Sequence, residues 1–172
     1  MKKIAIFGKP GSGKSTVAKR LAAALSIEHY ALDMLQYQSN GEPLARPEFD
    51  AAHQGLLMKP SWIIDGLGPL SAFNERIHAA DTLIYIDLPY WQSYWLVTKR
   101  LLKALWQKPE GWPEGSSVLK GTLQSYKTLR RCPAFWNDAF WQQLVEKSND
   151  KKLYRLCSLK ALDHFIQHQL IE

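Results

Sequence analysis

Residues 4–25 read IAIFGKPGSGKSTVAKRLAAAL. Ile4-Ala5-Ile6-Phe7 is a continuous apolar run, the pattern of a strand buried on both faces of a parallel sheet. Gly8 to Ser15 fits G-x-x-x-x-G-K-[ST], and Thr16 follows. From Lys14 onward Val17, Leu21, Ala24 and Leu25 recur at helical spacing. Strand, glycine loop and helix in this order are the context in which the motif binds phosphate. The reason is geometric. Gly8, Gly11 and Gly13 allow backbone dihedrals closed to other residues. Successive N–H groups of the loop, through Ser12, then curl around phosphate oxygens, and the helix N-terminus adds partial positive charge. Lys14 is placed to reach the β- and γ-phosphates, and the Ser15 hydroxyl to ligate Mg²⁺. The expectation is a nucleoside triphosphate, ATP, held with Mg²⁺.

The chain has 172 residues, 46% of them hydrophobic. That predicts one domain with a real core and argues against disorder. No apolar run approaches the roughly 18 residues of a membrane span. The run after Met1-Lys2-Lys3 is too short for a secretory signal. The expectation is a soluble, cytoplasmic protein with no membrane partner. Cys132 and Cys157 lack metal-site or redox spacing and read as reduced thiols without a role. The formal net charge is +6. Lys99 to Arg131 holds eight basic residues and two acids, so this segment alone accounts for the excess. A local basic block points to a polyanion: a nucleotide's phosphates or a nucleic acid.

The pattern alternates along the chain. Strands are predicted over Glu28–Leu32, Trp62–Ile64, Thr82–Asp87 and Lys152–Cys157. Helices are predicted over Pro47–Lys59, Ser71–His78, Tyr90–Gln107, Val118–Arg131, Phe135–Lys147 and Leu159–Leu170. Trp91, Trp95, Leu102 and Leu105 read as the apolar face of the helix from Tyr90. Most of the seven tryptophans read as core, with Trp112 best placed to face a ligand. Lys108 to Gly115 holds two prolines and two glycines and reads as a loop. The fold class is therefore α/β: a phosphate-loop three-layer fold with about five parallel strands and helices on both faces.

Asp33, Asp65 and Asp87 stand at or just past strand ends, where ligands bind in an open α/β sheet. Asp65 follows Trp-Ile-Ile, the run expected before a Mg²⁺-linked carboxylate. Asp33 is placed to hold an acceptor hydroxyl or a metal-bound water. Asp87, before Leu-Pro, reads as a cap of the next helix. The neighbours Gly66 and Leu88 provide no group to orient an attacking water. A kinase needs none, because the acceptor is the nucleophile. The basic block beside the Pro/Gly-rich loop fits a lid over about residues 108–121, with Arg100 and Arg131 bringing charge to the transferring phosphoryl.

Over residues 3–166 the sequence resembles the adenylate kinase-related nucleoside monophosphate kinases, and within them the topology modulation protein group. The resemblance is carried by the phosphate loop, ALDMLQY, WIIDG, NERIHAADTLIYIDLP and the final strand and helix. It implies that Lys14, Ser15 and Thr16 bind ATP phosphates and Mg²⁺, and that Asp65 matches the signature Asp-Gly. It places Asp33 and Tyr37 in an acceptor segment over about residues 33–60, with Arg46 and Arg76 as acceptor ligands. Here Asp65-Gly66 is followed by Leu67-Gly68-Pro69, not by Phe-Pro-Arg.

Three readings stand. The first is an ATP- and Mg²⁺-dependent kinase of a nucleotide or nucleoside. The second is a nucleotide-binding regulatory protein that contacts nucleic acid through its basic helices. The third is a metabolite kinase of the shikimate or gluconate type, with Asp33 holding a hydroxyl.

Overall fold

The first strand, β1 (Lys3–Gly8), lies at the centre of five. Its neighbours are β3 (Trp62–Asp65) and β4 (Thr82–Ile86), both parallel to it. Outside them lie β2 (His29–Ala31) and β5 (Lys152–Leu156), also parallel, giving the order β2-β3-β1-β4-β5. The computed structural model describes residues 1–36, 42–104, 106 and 118–169. All five predicted strands are present, and the α/β class stands as expected.

Side chains alternate across a strand, and here both sets are buried. Ile4, Ile6, Ile63, Ile84 and Ile86 face α1 (Lys14–Leu25) and α8 (Leu159–Gln169), through Val17, Leu21, Leu162 and Phe165. Ala5, Phe7, Trp62, Ile64, Leu83 and Tyr85 face the other layer. That layer includes α3 (Arg46–Leu57), α4 (Leu70–Ala79) and α7 (Asp138–Glu146). Its core is aromatic: Phe7 stacks on Tyr85 and Trp136 at 5.7 and 6.0 Å and meets Phe73 edge-on at 5.3 Å. Such pairs add to the burial of large rings.

Several boundaries differ from the sequence reading. β2 ends at Ala31; Leu32, fully buried, opens a one-turn helix, α2 (Leu32–Leu35), which carries Asp33 in its first turn. The helix expected from Phe135 begins only at Asp138, as α7, after a 3-10 turn (Cys132–Ala134), with Asn137 accepting from the Phe140 N–H at 2.9 Å as its cap. α5 (Tyr90–Lys103) and α6 (Val118–Arg131) are present; Leu105 and Trp112 lie outside the described residues.

The face of α5 is also not the predicted one. Its buried side chains are Ser93 and Val97, while Trp91, Trp95 and Leu102 are exposed. The phosphate loop dictates this. A Cβ on Gly11 would sit 2.6 Å from Val97 Cγ2 and 2.7 Å from the Ser93 carbonyl, so α5 turns its small residues to the loop. Large rings cannot occupy that side. The cysteines are free as expected, Cys132 buried and Cys157 exposed.

Asp87 does not cap α5, whose cap position is Pro89 without a side-chain bond. Phe7 pairs with Tyr85 in register, so Lys9 and Asp87 emerge from the same face of the sheet. The buried Lys9 ammonium pairs with Asp87 Oδ1, and Arg155 donates to Oδ2 from Nε at 3.0 Å and Nη2 at 2.6 Å. Burial raises the Asp87 pKa, but these bonds outweigh it and the net shift is downward. Asp87→Asn leaves Lys9 buried without its counter-charge and is expected to cost about 3–5 kcal/mol. Urea unfolding of variant and parent measures it. A depressed carboxyl pKa stabilises the fold above the ordinary carboxylate range, and that stability is lost as pH falls through the folded value. The gap between parent and variant should therefore narrow in acid.

Candidate active site

Strand parity places the carboxylate at the end of β3. Ile63 packs on the α1 side of the sheet, so Asp65, two residues on, points the same way. It meets the first turn of α1: Ser15 Oγ donates to Asp65 Oδ2 at 2.6 Å. β2 pairs His29 with Ile63, on the same face, and His29 Nε2 lies 2.8 Å from Asp65 Oδ1. An ionised carboxylate only accepts, so Nε2 carries the proton in this pair. Burial pushes the Asp65 pKa up. The bonds from His29 and Ser15 and the nearby Lys14 charge push it down further, and the net shift is downward.

The loop itself is held by close backbone approach. Gly8 has φ 146°, and a Cβ there would lie 2.2 Å from the Ile86 carbonyl oxygen. Lys14 Nζ donates to the Lys9 carbonyl at 2.7 Å across the loop. Burial lowers the Lys14 pKa, opposed by the carboxylates of Asp33 and Asp65. Ser12 Oγ is fully buried in the loop and has no hydrogen-bond partner among the described residues.

A cleft of about 1020 Å³ opens over this loop. Gly8, Gly11, Gly13, Lys14, Ser15 and Thr16 line its floor. Asp33, Asp65 and Arg100 line it as well, and Gln36, Ser125 and Thr128 contribute polar atoms to the walls. Arg100 is half-buried and donates from Nη2 to Ser125 Oγ at 3.1 Å, which ties α5 to α6. Burial lowers its pKa, and Asp33 opposes that shift.

The other predicted arginines lie elsewhere. Arg76 is fully buried in α4 and donates from Nη2 to the carbonyls of Gly66 at 2.7 Å and Leu67 at 3.0 Å. Burial lowers its pKa to about 10, with Asp65 opposing. Its place is beneath the loop after β3, not among the cleft-lining residues. Arg46 is exposed and holds Asp50 through Nε at 2.8 and 2.9 Å and Ser71 through Nη2 at 2.6 Å. Arg131 is exposed at the end of α6 and does not line the cleft. Tyr37 and residues 108–117 of the expected lid lie outside the described residues; residues 118–121 belong to α6.

His29 and Lys9 are the members that the sequence reading missed. His29 belongs to no motif, and Lys9 fills a variable position of the glycine loop. Strand register alone marks them: His29 shares a face with Asp65, and Lys9 with Asp87.

The donor set suits the expected ligands. Mg²⁺ takes one or two protein oxygens and completes its shell with phosphates and water. Ser15 Oγ and Asp65 Oδ2 are such a pair, already adjacent. A phosphate oxygen would satisfy the orphaned Ser12 hydroxyl and compete for Lys14. Among the described residues no cluster of three metal-ligating side chains exists, and no helix is long and apolar enough to cross a membrane.

Comparison with known proteins places this geometry in a wider setting. No family model matches the chain. A shikimate kinase from Corynebacterium glutamicum is 29% identical over 99 residues, which is 50% of this chain and 58% of that protein. The aligned part thus spans less than two thirds of that relative. A shikimate kinase from Acinetobacter baumannii, solved in complex with shikimate, superposes with a TM-score of 0.57 at 16% identity, covering 99% of this chain and 93% of that one. A gluconokinase from Sinorhizobium meliloti gives 0.51 at 16% identity, covering 99% and 90%. The parallel sheet, its order and the glycine loop are those of the P-loop kinase fold, and this chain has that fold.

Proposed function

We propose that this protein is an ATP- and Mg²⁺-dependent kinase that phosphorylates a hydroxyl group of a small anionic metabolite, of the shikimate or gluconate type. The observation that carries the reading is the pairing of Asp33 and Arg100 in one cleft with Lys14, Ser15 and Asp65. Asp33 holds the acceptor hydroxyl and takes its proton as oxygen attacks the γ-phosphorus and the bond to ADP breaks. Arg100 binds the acceptor's anionic group or the transferring phosphoryl. Lys14 stabilises charge on the phosphoryl oxygens. Ser15 and Asp65 hold Mg²⁺, which when bound neutralises phosphate charge. The kinase relatives named above support the same class.

A nucleotide or nucleoside acceptor is the second reading. It is favoured by the Asp65-Gly66 step and by a cleft large enough for two sizeable ligands. It is weakened by where the arginines go: of the two that line the cleft, Arg20 bonds Asp163 at 3.1 Å, which leaves Arg100, and Arg46, Arg76 and Arg131 are directed elsewhere. An acceptor phosphate is usually gripped by bidentate arginines. Nothing in the site calls for nucleic acid.

A panel of hydroxy acids, polyols, nucleosides and nucleoside monophosphates, scored by acceptor-stimulated ADP release, separates the readings. Hydroxy-acid turnover that Asp33→Asn abolishes is the expected result. Turnover restricted to nucleoside monophosphates would replace the first reading by the second.

Lys14→Ala is expected to lower turnover by about two to three orders of magnitude. The fold, followed by circular dichroism, should persist. His29→Phe should leave the Ser15–Asp65 pair present but poorly oriented. The Mg²⁺ needed for half-maximal rate is expected to rise about 10-fold, the usual cost of losing an outer partner of a metal-holding group. Mn²⁺ binding in the presence of ATP, read by paramagnetic resonance, should shift alike. Charge reversal separates the two basic positions. Arg100→Glu should reduce turnover by about 10²-fold or more, whereas Arg131→Glu should leave it within twofold (roughly, for an exposed charge).

A further inference from the structure

Three tryptophans stand far out of the core. Trp91, Trp95 and Trp106 are 68%, 58% and 83% exposed, and Leu102, Leu119 and Leu123 are exposed beside them. At about 100° per residue, Trp91, Trp95 and Leu102 fall within an arc of about 40° on α5, along about 16 Å of its length. Trp106 continues the stripe past the helix end, its backbone N–H bonded to the Lys103 carbonyl at 3.1 Å. The Tyr94 and Tyr126 rings stack at 5.9 Å and mark the seam between α5 and α6. Leu119, Leu123 and Tyr126 recur at four and three residues, so both leucines flank that seam. The opposite side of the pair carries Val97, Arg100 and Ser125 toward the phosphate loop and the cleft. The apolar stripe therefore belongs to a different surface from the candidate active site.

Charge distinguishes this surface further. Lys99 and Lys103 on α5, and Lys127, Arg130 and Arg131 on α6, are all exposed. Neither helix contains an aspartate or glutamate. Exposed rings and leucines of this extent mark a contact surface rather than ordinary solvent-facing residues.

We infer that the outer face of the α5–α6 pair docks on an anionic lipid bilayer surface. Tryptophan rings suit the headgroup level, leucines suit the acyl boundary below it, and flanking lysines and arginines meet anionic headgroups. A second copy of this face would set five cations against five like charges, with no carboxylate on either helix to relieve them. A nucleic acid would use the cations and the rings, yet would leave the three leucines against a charged backbone. The bilayer surface alone accommodates all three classes of side chain. This contact is peripheral and stands independently of the kinase reading.

The test is sedimentation of the full chain with phosphatidylcholine vesicles, with and without phosphatidylglycerol, at low and high salt. Binding to the phosphatidylglycerol vesicles, weak binding to phosphatidylcholine alone and release by salt are expected. The double variants Trp91→Ser/Trp95→Ser and Lys99→Glu/Lys103→Glu should each lower partitioning at least about tenfold. Binding of a fluorescent ATP analogue should stay unchanged, since none of these residues lines the cleft. The lysine pair alters no buried side chain, so it remains informative if the tryptophan pair lowers stability. Absence of vesicle binding at low salt overturns the inference. So does binding that the tryptophan variants leave intact, which is charge attraction alone. A concentration-dependent dimer abolished by Trp95→Ser would assign the face to a second copy. Tighter capture of a single-stranded oligonucleotide than of vesicles would assign it to nucleic acid.

Discussion

A central strand buried on both faces constrains nearly everything else in this molecule. Because β1 is covered on two sides, its odd and even residues belong to different cores, one aliphatic and one aromatic. The parallel register passes that division to every neighbouring strand. The polar residues that follow the strands inherit it. Asp65 leaves the sheet on the aliphatic side and meets Ser15 of α1. Asp87 leaves on the aromatic side and meets Lys9 and Arg155. Two aspartates in similar sequence settings are thus placed differently, one lining the cleft and one holding strand ends together.

The same division explains how a flexible glycine loop is kept in place. Its start is pinned by the Gly8 approach to Ile86 and by Lys9 reaching Asp87, and its middle by Gly11 against α5. The loop after β3 is held separately, by Arg76 bonding the carbonyls of Gly66 and Leu67 from below. A buried guanidinium costs desolvation, which the two carbonyl bonds and the nearby Asp65 charge offset only in part. The cleft is therefore bounded by two loops, each fastened by a buried cation that does not itself line it.

Much of this was legible in the sequence. The glycine loop, the strands and the Asp-Gly step could be read because local pattern and global fold agree there. Asp33, Asp65 and Arg100 do line one cleft with Lys14 and Ser15. The differences have a common cause. Residue type shows that an arginine is present but not where its guanidinium goes; Arg46 and Arg76 are taken up by Asp50 and by backbone carbonyls. Hydropathy shows that α5 has more apolar residues than one face can bury. It does not show that a glycine loop will require Ser93 and Val97 on the inner side. His29 could have been found only by pairing β2 with β3 in register.

The bond from Lys14 to the Lys9 carbonyl has a further consequence. The side chain best suited to greet a phosphate is already engaged by its own loop. A phosphate arriving at this loop would therefore exchange acceptors with it, and only the difference between the old bond and the new one would contribute to affinity. The carbonyl released belongs to the residue whose ammonium grips Asp87, and through it Arg155 at the sheet's far edge. The loop is thereby bonded, through Lys9 and Asp87, to the outermost strand. A lysine held in reserve also keeps the loop's shape defined before any ligand arrives, so that little ordering is left for the binding event itself.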